Sequence, residues 1–305
     1  MKELNIQQQI ERKKRSKTFE KAVPIVLFSI TIVSVLTTIG ILYTLISETI
    51  HFFSRVSLIE FFTSDTWNAF SSDPTFGIFP LILGTFKIVL IATIFAVPTG
   101  VFAAIYLSEY APSSVRKVLK PTLEVLAGIP TVVYGAFAIT FVTPTLQAIL
   151  PSLGHFNAIS PGLVVGLMIL PMITSLTDDA MANVPNAIRE GSYGLGATQL
   201  ETVFKVVLPA ALSRIVASIV LATSRAIGET MIVSIAAGST PNSSFNLFES
   251  LQTMTGFIVQ VTSGDAAFGS DVYYSLYAVG ITLFVLTLIM NMLSVWITKR
   301  FKEEY

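Results

Sequence analysis

The chain has 305 residues, of which 52% are apolar and only 12% charged, with a mean hydropathy of +0.72. A water-facing domain carries roughly 25% charged residues, so the composition excludes an ordinary soluble domain, and its apolar content excludes a disordered one. Nineteen basic residues balance nineteen acidic ones, cysteine is absent and only His51 and His155 occur, which speaks against a nucleic-acid partner, disulfides, thiol catalysis, a Cys- or His-rich metal site and a bound cofactor.

A helix needs about 20 apolar residues to cross the hydrocarbon core. The N-terminus opens with a basic tail, 1–22. A first span at 23–48 follows, too long for a cleavable signal and without a small-residue cleavage pattern after it. An outer loop, 49–79, leads to a second span at 80–109. Glu124 to Asp178 carries no charge and holds two more spans, 121–145 and 161–177, with a break at Pro151-Ser152-Leu153-Gly154. The fifth span, 209–237, carries Arg225 and Glu229, and the sixth, 272–298, precedes a short tail, 299–305.

Lysine and arginine placement sets the orientation. They crowd the N-terminal tail, the 110–120 loop, the 178–208 segment and the C-terminal tail, whereas Arg55 alone lies in the first outer loop and none lies in 146–160 or 238–271. The pattern predicts an all-α membrane protein with six transmembrane helices and cytoplasmic N and C termini. Trp67, Tyr273 and Tyr274 are expected at the outer interface and Trp296 at the inner one. Glu109 and Glu124 are expected as solvated groups near inner helix ends.

The 178–209 segment is the most informative stretch outside the spans. Pro185 and Asn186 open a short helical pattern, Gly194 and Gly196 close it, and Thr198–Val207 forms a second short piece ended by Pro209. This predicts a helix–turn–helix on the cytoplasmic face, which as a bare pattern is also a plain connector between spans. Gly196 is expected where the backbone needs a positive φ or a close approach.

Arg225 and Glu229 are four residues apart, which places them on one face of a continuous helix. Arg225 would lie about 24 Å along a span that enters at Pro209. An unpaired charge at that depth costs at least about 2.5–3.5 kcal/mol, so the pair must face the bundle interior or a watery cavity. Two readings stay open. Either the charges neutralise each other and fix helix packing, or the planar guanidinium receives an oxyanion, with Ser224 and Thr230, and Thr223 beside them, as hydroxyl donors. Lys87, near the outer end of the second span, fits snorkelling to the interface.

Glu190-Gly191-Ser192, three residues, Gly196, nine residues, then Val206-Val207-Leu208-Pro209 resembles the E-A-A, three residues, G, nine residues, I-x-L-P loop of type-I ABC importer permeases. In that family the loop docks on an ATPase subunit. The resemblance implies that role for Glu190, Gly191, Ser192, Gly196, Leu208 and Pro209, and a type-I permease bundle over 80–298. Leu126–Gly135 and Thr223–Thr230 are similar to the phosphate-specific Pst permeases, on the PstC side of that family. The resemblance implies a cytoplasmic-membrane subunit translocating inorganic phosphate. It also implies a second permease (PstA-like), an ATPase dimer (PstB-like) and an extracytoplasmic phosphate-binding protein (PstS-like), and it assigns the substrate pathway to Arg225, Glu229, Ser224 and Thr230. The chain has no G-x-x-x-x-G-K-[ST] loop and is expected to be no enzyme, with ATP hydrolysis in a partner chain. A permease for molybdate or sulfate, and an ATP-independent secondary transporter, remain the alternatives.

Overall fold

The computed structural model describes residues 6–300, with side chains from residue 22 onward. Among these residues six helical runs are long and apolar enough to cross a bilayer: Ala22–Phe53, Phe79–Tyr110, Thr131–Ile149, Ile159–Ala182, Gln199–Ile227 and Asp271–Arg300. The protein is an all-α multi-pass membrane protein. Four of the runs fall within a few residues of the spans read from charge-free stretches, and the third and fifth differ.

Helix α1 (Ile6–Phe53) takes in most of the basic tail as well as the first span. Helix α2 (Leu58–Thr63) and a small antiparallel pair, β1 (Trp67–Asn68) and β2 (Thr75–Phe76), fill the 49–79 loop. Helix α3 (Phe79–Ile105) runs through a π-turn to Tyr110, and α4 (Ser113–Ala127) follows. Helices α5 (Thr131–Phe137) and α6 (Thr143–Ile149) join through a π-turn at Ala138–Val142 and make the third run. Helix α7 (Ile159–Ala182) is the fourth. Helix α8 (Asn186–Gly194) precedes α9 (Gln199–Thr202), which continues through a π-turn at Val203–Val207 into α10 (Leu208–Ile227). Short helices α11 (Met231–Ala236) and α12 (Met254–Gln260) lead to α13 (Asp271–Arg300).

The bundle has a hairpin end, with β1, β2 and the 238–253 loop, and an α8 end, with α4 and α8. At its centre α3 and α7 run parallel at close range. Gly162 and Gly166 of α7 leave room for Ile91, Ala92 and Phe95 of α3, and Gly100 of α3 leaves room for Ile173. Small residues four apart allow this approach, and dispersion then holds the helices together where lipid offers no hydrophobic drive. A central core gathers Ile88, Ala92, Val165, Ile169 and Ile173 with Ala222, Ile232 and Ala236. A second core at the hairpin end joins Phe52, Phe61, Trp67, Phe76 and Phe257, and a third at the α8 end joins Ile105, Met181, Val203, Val207 and Ile215. Helix α1 stands apart along most of its length, exposed from Ala22 to Tyr43 apart from one half-buried position, and meets α13 near Leu45 and Gly280.

Several expectations are corrected. The third span begins at Thr131, not at 121, because Gly128-Ile129-Pro130 ends α4, and Arg116, Lys120 and Glu124 make α4 a polar-faced helix outside the spans. The fifth run covers Gln199–Ile227 instead of 209–237. Pro209 does not end the piece before it: the wider π-turn at Val203–Val207 accommodates the missing N–H and the proline ring, so the helix continues. The same device carries α5 past Pro144 into α6. Trp67 is 5% exposed, packed edge-on against Phe257 with ring centroids 4.8 Å apart, and so belongs to a core, not to an interfacial belt. Trp296 is 59% exposed near the end of α13. Residues 301–305, most of the expected C-terminal tail, lie outside the described residues.

Candidate functional site

Two regions bring the singled-out residues together. The first is the α8 loop. Pro185, with φ −58° and ψ 138°, enters α8 and Asn186 is its first residue. Gly194 is its last, and Gly196 has φ +85°, the left-handed conformation expected for it. A Cβ there would meet nothing within 4 Å, so the backbone angle alone calls for glycine. Thr198 then opens α9 with a reciprocal cap. Its hydroxyl accepts from Glu201 N, and the Glu201 carboxylate accepts from Thr198 N. Ser192 shares a 2.8 Å hydrogen bond with Thr202, closing the two pieces on each other. Glu190 and Gly191 are exposed, Leu208 packs on the third core, and Pro209 is exposed in the first turn of α10. Tyr193 (43%) and Leu195 (91%) present apolar surface at the tip.

The anchor of this loop was not singled out in the sequence. Arg189 Nη2 donates to Glu109 Oε1 at 2.8 Å and to Met181 O at 2.9 Å, while Nη1 donates to Val184 O. The two side chains are 14% and 8% exposed, so Glu109 is a buried partner and not a solvated end group. Gln199 Nε2 adds a bond to Glu109 O at 2.6 Å. Beside this lies a second cluster. Asp178, 2% exposed in its side chain, accepts both oxygens' worth of bonds from Arg116 Nη2 at 2.9 Å and one from Lys120 Nζ at 3.1 Å, and Lys120 also reaches Asp179. The Asp178 hydrogen bond raises the Lys120 pKa above its ordinary value against a smaller desolvation effect. These bonds tie α4 to the end of α7. Glu124 is exposed.

The second region is an interruption of the helix inside the bundle. Helix α10 stops at Ile227, Gly228 is its C-cap, and α11 starts only at Met231. Arg225 and Glu229 therefore do not share a continuous helix face, and no ion pair joins them among the described residues. The reason is local. Glu229 Oε1 accepts from the amides of Met231 at 2.9 Å and Ile232 at 3.2 Å, supplying partners to α11's free N–H groups. Glu229 is 9% exposed, and its own carbonyl accepts from Thr255 Oγ1 at 2.7 Å. Thr85 of α3 accepts from Met254 N at 3.1 Å. Thr85, Ile88, Val233, Thr253 and Thr255 close around Glu229 and leave no space for a water molecule. Ile88 lies about 13 Å along α3 from Phe79, so the break sits inside the span. Irregular backbone at such depth requires burial in protein, which the 251–255 segment provides. Gly84 admits it, since a Cβ there would overlap Gln252 O.

Arg225 lies half a turn before the break on an exposed face of α10. Ser224 is buried at 7%. Thr223 Oγ1 donates back to Ile219 O at 2.8 Å, and Thr230 Oγ1 to Gly228 O at 3.1 Å, so both hydroxyls serve their own backbone in this state. Lys87 does not snorkel into solvent. It is 4% exposed, and its Nζ bonds Ser244 O and Asn246 O in the 238–253 loop, beneath a Glu249 that accepts from Asn242 and Asn246. The region thus offers an accessible guanidinium on one side of a helix break and a buried, amide-held carboxylate on the other. His51 and His155 sit against Tyr274 and Phe156, away from both regions.

The family model described as "Binding-protein-dependent transport system inner membrane component" matches residues 96–303. A "Probable ABC transporter permease protein YqgH" of Bacillus subtilis is 38% identical over 250 residues, covering 81% of this chain and 80% of that one. A "Phosphate transport system permease protein PstC" of Mesorhizobium japonicum is 32% identical, covering 76% and 75%. Among solved structures, a bacterial alginate ABC transporter in complex with its pentasaccharide-bound periplasmic protein superposes with a TM-score of 0.64 at 15% identity, over 91% of this chain and 95% of that one, a likeness of fold.

Proposed function

The chain belongs to the family of binding-protein-dependent transport system inner membrane components, the permeases of type-I ABC importers, and from that premise we propose that it carries inorganic phosphate across the cytoplasmic membrane. The relative named as a phosphate transport permease, alike over three quarters of both chains, supports the substrate. The broken fifth span carries the pathway reading: it leaves Arg225 without a carboxylate partner among the described residues, half a turn from a break that backbone amides, not Arg225, stabilise through Glu229. A guanidinium so placed is free to receive a tetrahedral oxyanion through its planar fork of donors. Glu229 holds the break open as a structural turn, and Ser224 and Thr230 flank it.

In this reading the transport subunit itself hydrolyses nothing. An ATPase dimer, PstB-like, covers the α8 tip with its exposed Tyr193 and Leu195. A PstA-like permease pairs with the bundle, and a PstS-like binding protein delivers phosphate at the hairpin end. The termini and the α8 end are cytoplasmic, and the permease core occupies 80–298 with its coupling loop at about 178–209. The test is phosphate uptake by the reconstituted complex, normalised to assembled complex, with molybdate and sulfate as competitors. Arg225→Gln should abolish uptake while assembly persists, because Glu229 keeps its amide partners. Arg225→Lys should rescue poorly, since ammonium lacks the bidentate fork. Near wild-type uptake by the double variant Arg225→Gln, Glu229→Gln would refute the pathway role.

A further inference from the structure

Between the α8 ends of α7, α10 and α13 lies a cavity of about 290 Å³ that neither the α8 loop nor the break uses. Its lining changes character along the bundle axis. Leu176 of α7 and Leu221 of α10 form its deeper part, and Asn183, Arg214 and Thr298 its part nearer the α8 end. Leu221 and Arg214 are seven residues apart, about 10 Å of helix rise. The cavity is therefore apolar toward the middle of the bundle and polar where the helices finish.

Arg214 supplies the charge. It is exposed, and none of the ion pairs or hydrogen bonds among the described residues uses its guanidinium. The rim carboxylate, Asp179, is already paired with Lys120 at 3.1 Å, so it offsets Arg214 only in part. Asn183 Nδ2 donates one hydrogen to Asp179 O at 2.7 Å and keeps the other. Ser294 and Thr298 donate to Ala217 O and Ser294 O, and either hydroxyl turns toward a ligand by giving up that bond. On the neighbouring face of α13, Val295 is 54% exposed, an apolar surface that in a multi-pass protein meets lipid.

We propose that this cavity binds a phosphate group, with Arg214 as its anchoring cation and Asn183 as a second donor. A polar mouth over an apolar floor suits an amphiphile whose phosphate sits at the membrane surface, that is, the headgroup of an anionic phospholipid. Inorganic phosphate offers Arg214 the same chemistry. The site is separate from Arg225, eleven residues and roughly 16 Å further along α10, and does not depend on the pathway reading.

The reporter is Leu221→Trp on a Trp296→Phe background, because Leu221 lines the cavity floor, whereas Trp296, two residues from both Ser294 and Thr298, lies on the opposite face of α13 and Trp67 is buried in the hairpin-end core. The full chain is reconstituted in phosphatidylcholine vesicles containing a minor fraction of either brominated phosphatidylglycerol or brominated phosphatidylcholine. Phosphatidylglycerol should be enriched about fivefold at the groove, the effect of one basic residue on an anionic headgroup, and should quench the Leu221→Trp reporter correspondingly more. Arg214→Gln should abolish the excess, and Arg214→Lys should keep part of it. A parallel arm measures binding of radiolabelled inorganic phosphate in phosphatidylcholine alone, on an Arg225→Gln background. Binding there that is lost with Arg214→Gln would assign the free ion as occupant. Equal quenching by the two lipids, together with phosphate binding indifferent to Arg214, would overturn the proposal. Because Arg214 has no partner among the described residues, its replacement should fold, and the Trp67 signal, common to both proteins, checks that it has.

Discussion

Replacing Arg189 with methionine tests how the α8 loop is held to the bundle. The guanidinium joins Glu109, Met181 O and Val184 O, and its side chain and that of Glu109 are 14% and 8% exposed. Solvent therefore screens the pair little, and removing one partner strands a carboxylate in a nearly closed site. Such a loss costs roughly 3–5 kcal/mol, and the residual exposure here favours the lower figure, about 3 kcal/mol. The cost falls on local docking, because the spans keep their own cores and α8 retains only Ser192–Thr202 as a side-chain tie to α9. An opening free energy reduced by about 3 kcal/mol is roughly a hundredfold in the opening constant. Amide exchange across Asn186–Gly194 should therefore accelerate by about two decades, while exchange in α3 and α7 stays unchanged. The double variant Arg189→Met, Glu109→Leu removes the stranded charge and should recover most of the protection. Exchange in α8 indifferent to Arg189→Met, or equally fast in the single and double variants, would refute this account of the anchor.

Other outcomes follow from the same geometry. With no native cysteine, Phe245→Cys and Leu195→Cys replace residues exposed at 78% and 91%; an impermeant thiol reagent should label the first in intact cells and the second only after the membrane is permeabilised, and the reverse pattern would invert the orientation. Gly196→Val forces a β-branched residue to φ +85° at a cost of roughly 1–2 kcal/mol, so ATPase co-purification should fall while the permease still inserts, and unchanged co-purification would show that the loop tolerates another path. Gly84→Ala puts a Cβ into Gln252 O and should lower thermal stability by roughly 1–3 kcal/mol, as overpacking does; a midpoint unchanged within error would mean that the 251–253 segment moves freely.

Charge-free stretches made the first, second, fourth and sixth spans legible, because bilayer thickness alone sets their length. The third span was misplaced because α4 has an apolar face that extends the run backward, and only Gly128 and Pro130 mark the boundary. In the fifth span the four-residue spacing of Arg225 and Glu229 suggested an unbroken helix. The competing bond, from a carboxylate to amides two and three residues ahead, uses the same residue to end one helix and start another, and nothing in the local pattern ranks one above the other. Gly196 was readable because a backbone requirement is local to the glycine. The Arg189–Glu109 bond joins residues 80 apart and the Arg116–Asp178 bond residues 62 apart, so both depend on how α3, α4 and α7 come together, which spacing along one segment does not encode.

The π-turn at Val203–Val207 has a consequence for angular phase. It holds one residue more than an ordinary α-helical turn, which rotates everything after it by about 100° relative to an uninterrupted helix. Helix α8 lies before this turn and Arg225 after it, so the compass bearing of the guanidinium relative to α8 is set by the residue count of the turn. Substitutions along α10 leave that bearing alone, because they preserve the count. A one-residue insertion or deletion within 203–207 re-aims the whole exposed face of α10 and also breaks the nine-residue spacing from Gly196 to Val206, while composition and hydropathy barely change.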